Sequence, residues 1–291
     1  MTAKPVQRWQ IGDVAILRVI ESEIPIPPQF LFGETKLPML ETAAWLRPHF
    51  VTEDGRLITS IHAFVVDDGR HRMIVDTCIG NDKTRRMAFW SNLKGPFLEQ
   101  LAEAGYPAES IDRVLCTHMH VDHVGWNTRL VDGRWVPTFP NARYLFARTE
   151  WEHWSKEPVD PGDDVLGDSV RPILDAGLAD LVATDHRVSP SVWLEPTPGH
   201  TPGHVCVRIE SRGARAVITG DLMHHPLQIA DPDVAATFDA DPEAARATRR
   251  DFVARQSDAD VLVLGTHFGT PTAGHIVGGP GARRFAPQAG G

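Results

Sequence analysis

Apolar positions along this chain fall mostly in short β-type runs, with helical spacing in a few places only. Val14, Ile16, Leu17, Val19 and Ile20 form a β-branched run that predicts a strand. Residues 59–66 and 71–77 predict two more strands, with Asp67-Asp68-Gly69 between them as a hairpin signal. Pro96 in a first turn, Phe97, Leu98 and Leu101 on one face, and Gly105 as a stop predict a helix. Short strands are predicted at 111–117, 141–147, 192–195, 205–209, 215–219 and 261–264. Further helices are predicted from Val170 to Leu181, and from the N-cap pair Asp241-Pro242 to about Gln256. Residues 22–58 and 150–168 read as irregular. The first of these segments carries Ile24, Ile26, Phe30 and Phe32, apolar side chains for a cleft wall, a loop packed over the core edge or a homodimer contact. Gly and Pro from Gly278 onward predict a flexible tail, which leaves one domain over 1–291 with its core at about 10–277.

Candidate chemistry sits where the predicted strands end. The strand at 111–117 runs into Thr117-His118-Met119-His120-Val121-Asp122-His123, four ligand-type side chains within six positions. Such density is hard to explain by packing, and imidazole with carboxylate suits zinc, iron or manganese. In extended backbone His118 and His120 point the same way and chelate one ion, while Asp122 and His123 face a second. The remaining ligands come from His200, Asp221 and His267. Pro198-Gly199 presents His200, with His204 as its rival, and His200 is preferred because His204 adjoins the strand beginning at Val205. Asp221 has two oxygens and can bridge two cations. Rigid strands that aim ligands carried on loops are what a site at one edge of a layered α/β domain requires.

The formal net charge of the 291 residues is −9, which argues against a general electrostatic grip on nucleic acid. Cys78, Cys116 and Cys206 occur singly, so no disulfide framework is expected and a reducing, cytoplasmic setting is read. Arg8, Asp13 and Arg18 interrupt the first apolar stretch, so neither a secretory signal nor a membrane span is predicted. The rings of Trp90, Trp126, Trp151, Trp154 and Phe268 lie near the ligand run or in predicted loops. Some are expected to wall an apolar cleft and others to fill the core.

At this point the chain resembles the metallo-β-lactamase superfamily. His118-x-His120-x-Asp122-His123 is similar to its H-x-H-x-D-H motif, and His200, Asp221 and His267 to its later ligands. Asp76 resembles the acidic residue of the family's early strands. The resemblance implies an α/β four-layer αββα sandwich, two mixed β-sheets flanked by helices. It implies two divalent ions, zinc first and manganese, iron or cobalt as alternatives. One ion would lie on His118, His120 and His200, the other on Asp122, His123 and His267, with Asp221 bridging. A bridging Asp and the lack of a signal peptide set the chain apart from secreted antibiotic hydrolases, and the added domain of the nuclease branches is missing. Within the family it is similar to small-lactone hydrolases, and Gly220-Asp221-Leu222-Met223-His224 with Thr266-His267-Phe268 resembles the parathion-hydrolase-like side. Acyl-homoserine lactonases carry a Tyr three residues after the bridging Asp; here that position is His224.

The resemblance thus implies a binuclear hydrolase that opens a lactone or cleaves a carboxylic ester through a metal-bridging hydroxide. An organophosphate triester hydrolase is the alternative, with a thioester hydrolase or persulfide dioxygenase of the same fold behind it. Asp122 is the expected proton carrier. His224 is expected either to donate to the carbonyl or leaving oxygen, or to orient Asp221 or a ligand histidine.

Overall fold

The computed structural model describes residues 6–290. Strands β1 (Gln7–Ile11) and β2 (Val14–Ile26) precede helices α1 (Pro28–Phe32) and α2 (Met39–Thr42). Then come β3 (Leu57–Asp67), β4 (Arg72–Val75), α3 (Phe97–Glu103) and β5 (Arg113–Leu115). A hairpin of β6 (Thr128–Val131) and β7 (Arg134–Pro137) leads to β8 (Arg143–Ala147), α4 (Arg148–Trp154), α5 (Val165–Ser169), α6 (Arg171–Asp175) and β9 (Ala179–Val182). The chain ends with β10 (Val192–Pro196), β11 (Val205–Ser211), β12 (Ala214–Ile218), α7 (Leu227–Ala230), α8 (Pro242–Gln256), β13 (Leu262–Leu264), β14 (Ala273–Val277) and β15 (Arg284–Pro287). It divides into two compact units, one of Ile61–Thr184 with the segment up to Glu21, the other of Ser22–Ser60 with the residues from Asp185 onward.

The first unit is built on a mixed sheet of order β1-β2-β3-β4-β5-β8-β9. The pair β3–β4 is antiparallel, joined by a turn in which Asp67 Oδ1 accepts from the Gly69 amide. The pairs β4–β5, β5–β8 and β8–β9 are parallel. Strands buried on both faces need continuous apolar runs, which Met73-Ile74-Val75 and Tyr144-Leu145-Phe146 supply. Phe97 and Leu101 of α3 and Ile173 of α6 share one core with Val114, Tyr144 and Phe146. Burying side chains of this size contributes about 1.5–3 kcal/mol each.

The second unit carries a mixed sheet of order β10-β11-β12-β13-β14-β15, in which only β12–β13 is parallel among the described strands. Phe252 and Val253 of α8 join Val217, Val263, Ile276 and Phe285 in its core. Asp241 caps α8, its Oδ1 accepting from the amides of Glu243 and Ala244, and Pro242 opens the first turn as the sequence predicts.

Several elements depart from the sequence reading. The helix predicted over 170–181 stops at Asp175. Gly177 takes a left-handed conformation at φ 68°, its amide donates to Leu174 O, and Leu178 N reaches back to Ile173 O. This closes the helix as a Schellman motif. Leu181 then belongs to β9, paired with Phe146. Gly105 ends α3 by the same device, with Tyr106 N bonded to Leu101 O. Trp151 and Trp154, expected in a loop, lie on α4. Residues 22–58 hold α1 and α2, and Phe32 is core while Ile24 is exposed. Beyond Gly278 the chain returns as β15 against β14, anchored by Phe285, whose ring packs edge-on against Phe268 and Phe50. The hairpin β6–β7 and strands β1, β9 and β14 were also not legible in the sequence.

Candidate metal centre

In the first unit the ligand run leaves β5. Parallel register pairs Val75 with Leu115, so the residue after β4, Asp76, comes beside Cys116 and Thr117. Asp76 has φ 57° and is buried. Its Oδ1 accepts from the Thr117 amide at 2.8 Å, and its Oδ2 accepts from Thr117 Oγ1 and His123 Nδ1, both at 2.9 Å. With its proton given to Asp76, the Thr117 hydroxyl accepts from His118 Nδ1 at 3.1 Å. One carboxylate therefore sets the orientation of two imidazoles.

His118 and His120 lie on bends rather than in the extended backbone expected, and the chain turns at residues 121–123, where Asp122 and His123 are expected to face a second ion. The ligand atoms of His118 and His120 still lie within 4.8 Å of each other, as do those of Asp122 and His123. The turn is closed by His123 N on His120 O at 3.1 Å. Glu150 of α4 pins its centre, Oε1 accepting from the Met119 amide at 3.1 Å and from Trp154 Nε1 at 2.6 Å. The Trp154 ring meets His120 edge-on at 5.3 Å. Trp126 stacks on Phe97 in the core and donates to Glu21 Oε1 at 2.7 Å, so it is not a cleft wall. Burial pushes the Glu21 carboxyl up, against the lowering effect of its bonds to the amides of Ile79 and Gly80 and to Trp126.

In the second unit the remaining candidates converge on Asp221. The parallel register of β12 with β13, Ile218 opposite Leu264, brings the loops after both strands together. His267 follows β13. Its Nδ1 donates to Ser60 O at 2.9 Å and its Nε2 lies 3.0 Å from Asp221 Oδ1. His200 sits on the loop between β10 and β11. Its Nδ1 donates to Asp239 Oδ1 at 3.0 Å and its Nε2 lies 3.3 Å from Asp221 Oδ2. His204 Nε2 instead accepts the Asp221 amide at 2.8 Å, so the two histidines divide the work of holding and facing this carboxylate. His224 is buried, its Nε2 3.2 Å from Asp221 Oδ2 and its ring parallel to His267 at 5.7 Å. Phe268 lies in the core with Phe50 and is no cleft wall.

Charge follows from this packing. Burial alone would lower His200, but the carboxylates of Asp221 and Asp239 override it and raise the imidazole to about 9. Burial likewise opposes ionisation of Asp239, yet the hydrogen bond from the charged His200 and the Arg249 guanidinium pull it down to about 2. Burial lowers His224, which favours the neutral ring.

The donor set fits divalent cations. His118, His123, His200 and His267 each spend Nδ1 on an oxygen, so Nε2 is the nitrogen each offers a metal. Two donors about 2.0–2.1 Å from a tetrahedral ion stand roughly 3.3 Å apart. The Nε2-to-carboxylate distances are 3.6 Å for His123 and Asp122, 3.3 Å for His200 and Asp221, and 3.0 Å for His267 and Asp221. Glu150, Asp239 and Arg249, which hold this set in place, were not singled out from sequence; no motif or spacing marks them.

Comparison with known proteins places this site in a family. Residues 58–267 match the metallo-beta-lactamase superfamily domain, a span that includes all seven candidate ligands. The chain belongs to that superfamily, and its fold class is the αββα sandwich that the resemblance implied. It is similar to the hydrolase AbOPH of the beta lactamase superfamily, at TM-score 0.80 and 25% identity over 99% of both chains. It is also similar to AidC, a dizinc quorum-quenching lactonase solved with a product, at TM-score 0.79 and 20% identity over 97% of both chains, a likeness of fold. In sequence it is 29% identical over 118 residues to an N-acyl homoserine lactonase of a Bacillus species, covering 40% of each chain. It is 27% identical over 142 residues to an N-acyl homoserine lactonase of Bacillus cereus, covering 48% of this chain and 50% of the other. The chain thus spans about half or less of these curated relatives. Among the described residues no helix is long and apolar enough to cross a membrane.

Proposed function

We propose that this chain is a binuclear metal-dependent hydrolase that opens a lactone or cleaves a carboxylic ester. The observation that carries the reading is the double engagement of Asp221. Oδ1 faces His267 Nε2 at 3.0 Å and Oδ2 faces His200 Nε2 at 3.3 Å, so each oxygen is paired with a different imidazole. A carboxylate so placed is suited to two cations rather than one. The family resemblance would assign His118, His120 and His200 to one divalent ion and Asp122, His123 and His267 to the other, with Asp221 serving both. Superfamily membership and the dizinc lactonase of like fold support zinc in this pair.

When bound, the ions supply a water deprotonated at neutral pH and a Lewis acid for the substrate oxygen. The chain does the rest. Asp122 takes the proton of the attacking water and returns it to the leaving oxygen as the acyl carbon–oxygen bond breaks. Asp76 and Glu150 keep the ligand run in register through Thr117, His123 and Met119. His224, neutral and 3.2 Å from Asp221 Oδ2, orients that carboxylate rather than touching substrate.

The test is initial hydrolysis rate with zinc or manganese supplied. The panel holds short- and long-chain acyl-homoserine lactones, γ- and δ-lactones, an aryl ester and an aryl phosphotriester. Preference for lactones or esters supports the reading. A dominant phosphotriester rate would move the chain to the second reading, an organophosphate hydrolase, which His224 in place of a Tyr favours. A metal-to-protein ratio near one would favour the mononuclear dioxygenase chemistry of the same fold instead.

A further inference from the structure

Arg249 is wholly buried on α8 and spends its guanidinium on one stretch of chain. Nε donates to Leu222 O at 2.8 Å, the carbonyl next to Asp221. Nη1 donates to Pro232 O at 3.1 Å and to Val234 O at 2.8 Å. Nη2 donates to Asp239 Oδ2 at 3.3 Å, and the same oxygen accepts the Ala236 amide at 2.9 Å. The other oxygen of Asp239 holds His200 Nδ1. Around this cation the chain also ties Ala240 N to His200 O and Asp241 N to Gly199 O.

We propose that Arg249 is a positioning residue for metal uptake, one guanidinium that fixes both the His200 loop, through Asp239, and the Asp221 loop, through Leu222 O. The inference rests on the metal-hydrolase reading above and adds a residue with no contact to any ligand atom. The planar fork matters. Its donors point in fixed directions, so the spacing between Leu222 O and Asp239 is set by the cation's own geometry. A lysine supplies the charge without that spacing. Asp239 in turn holds Nδ1–H of His200 and so turns Nε2 toward the position a cation would take, the arrangement that raises the affinity of ligand histidines.

Zinc affinity of the metal-stripped full chain, measured by competition with a chromophoric chelator, tests this together with the apo thermal midpoint. Arg249→Lys is expected to weaken one of the two zinc equivalents by about 10–100-fold, the range for partners behind a ligand. Asp239→Asn should weaken the same equivalent, and the double variant should lose less than the sum of the two, because they share the His200 contact while Leu222 O is held by Arg249 alone. Nitrogen-15 NMR of the histidine rings in the zinc-loaded chain should show one imidazole whose Nδ1 resonance shifts in Asp239→Asn, where its charged acceptor is replaced by a neutral amide. Arg85→Lys, at a buried pair with Asp168, serves as the control and should lower the thermal midpoint with zinc affinity unchanged. Wild-type zinc affinity in Arg249→Lys, with the midpoint lowered, would reduce Arg249 to a structural role and overturn the inference. Should that variant not fold, unchanged affinity and an unchanged Nδ1 resonance in Asp239→Asn overturn it equally. A wild-type chain that takes up no zinc sinks the functional reading itself, an outcome distinct from both.

Discussion

The backbone amide of Asp221 donates to His204 Nε2 at 2.8 Å, and that bond decides between two neighbouring histidines. Thr197 Oγ1 accepts from His204 Nδ1 at 2.8 Å, so the ring carries its proton on Nδ1. His200 likewise turns Nδ1 to an oxygen, but His204 spends its one lone pair on an amide. We expect His204→Ala to retain both zinc ions at saturating metal and to lose about 1–3 kcal/mol of stability for the buried amide left without an acceptor. His200→Ala should lose an equivalent of zinc. Metal analysis after dialysis, with urea unfolding, checks the pair. Loss of a zinc ion in His204→Ala would make it the ligand.

Asp76 makes a sharper case for the first unit. It accepts three hydrogen bonds at 2.8–2.9 Å, two from Thr117 and one from His123. Asp76→Ala leaves a buried amide and imidazole without their acceptor, so a loss of about 3 kcal/mol or more is expected. The left-handed φ of 57° adds strain for alanine, and Asp76→Gly separates the two effects by removing the carboxylate without it. Urea unfolding of the metal-stripped chain is the measurement. Equal midpoints for Asp76→Gly and wild type would show that the carboxylate contributes nothing to the fold.

What could be read from the sequence, and what could not, follows from how local each signal is. The run from His118 to His123 announces itself because ligand side chains crowd one loop. Strands β12 and β13 are legible because Ala216-Val217-Ile218 and Leu262-Val263-Leu264 are short apolar runs. Asp239 lies 39 residues from His200, and Glu150 lies 31 from Met119, so only tertiary pairing makes them part of the site. The overlong helix at Val170 is a different miss. Gly177 marks its end as clearly as Gly105 ends α3, but Leu178 and Leu181 continue a helical spacing that β8 recruits into a parallel strand instead.

His225 gives the chain an acid-sensitive fold. Its Nε2 donates to Phe50 O at 2.8 Å and its Nδ1 accepts the Leu227 amide at 3.2 Å, an arrangement that requires the neutral ring. Burial pushes it down to about 4. An unfolded histidine titrates near 6.5, so between about pH 6.5 and 4 the unfolded chain binds a proton that the folded chain does not. Stability contributed by the neutral ring is whole above that window and falls as pH drops through it, by up to about 3 kcal/mol. Below the folded value no further loss comes from this group. His225→Asn should be less stable at pH 7.5 and show a flatter decline from 6.5 to 4. Urea unfolding of metal-stripped protein across that range reads the slopes, and parallel curves would sink the assignment.

His224 separates a positioning role from a catalytic one. The ring is buried, its amide bonded to Gln228 Oε1 at 2.7 Å and its Nε2 3.2 Å from Asp221 Oδ2. A ring that orients a carboxylate acts on metal affinity and turnover together, typically by 10–100-fold. A ring that donates to the substrate carbonyl lowers kcat/KM and leaves zinc binding alone. We expect His224→Ala to weaken zinc and lower kcat in step, with KM for the best substrate of the panel little changed. His224→Asn, which keeps a donor of shorter reach, should recover part of both. A drop in kcat/KM at wild-type zinc affinity would place His224 against the substrate instead. Wild-type values for metal content and turnover would remove it from the site altogether.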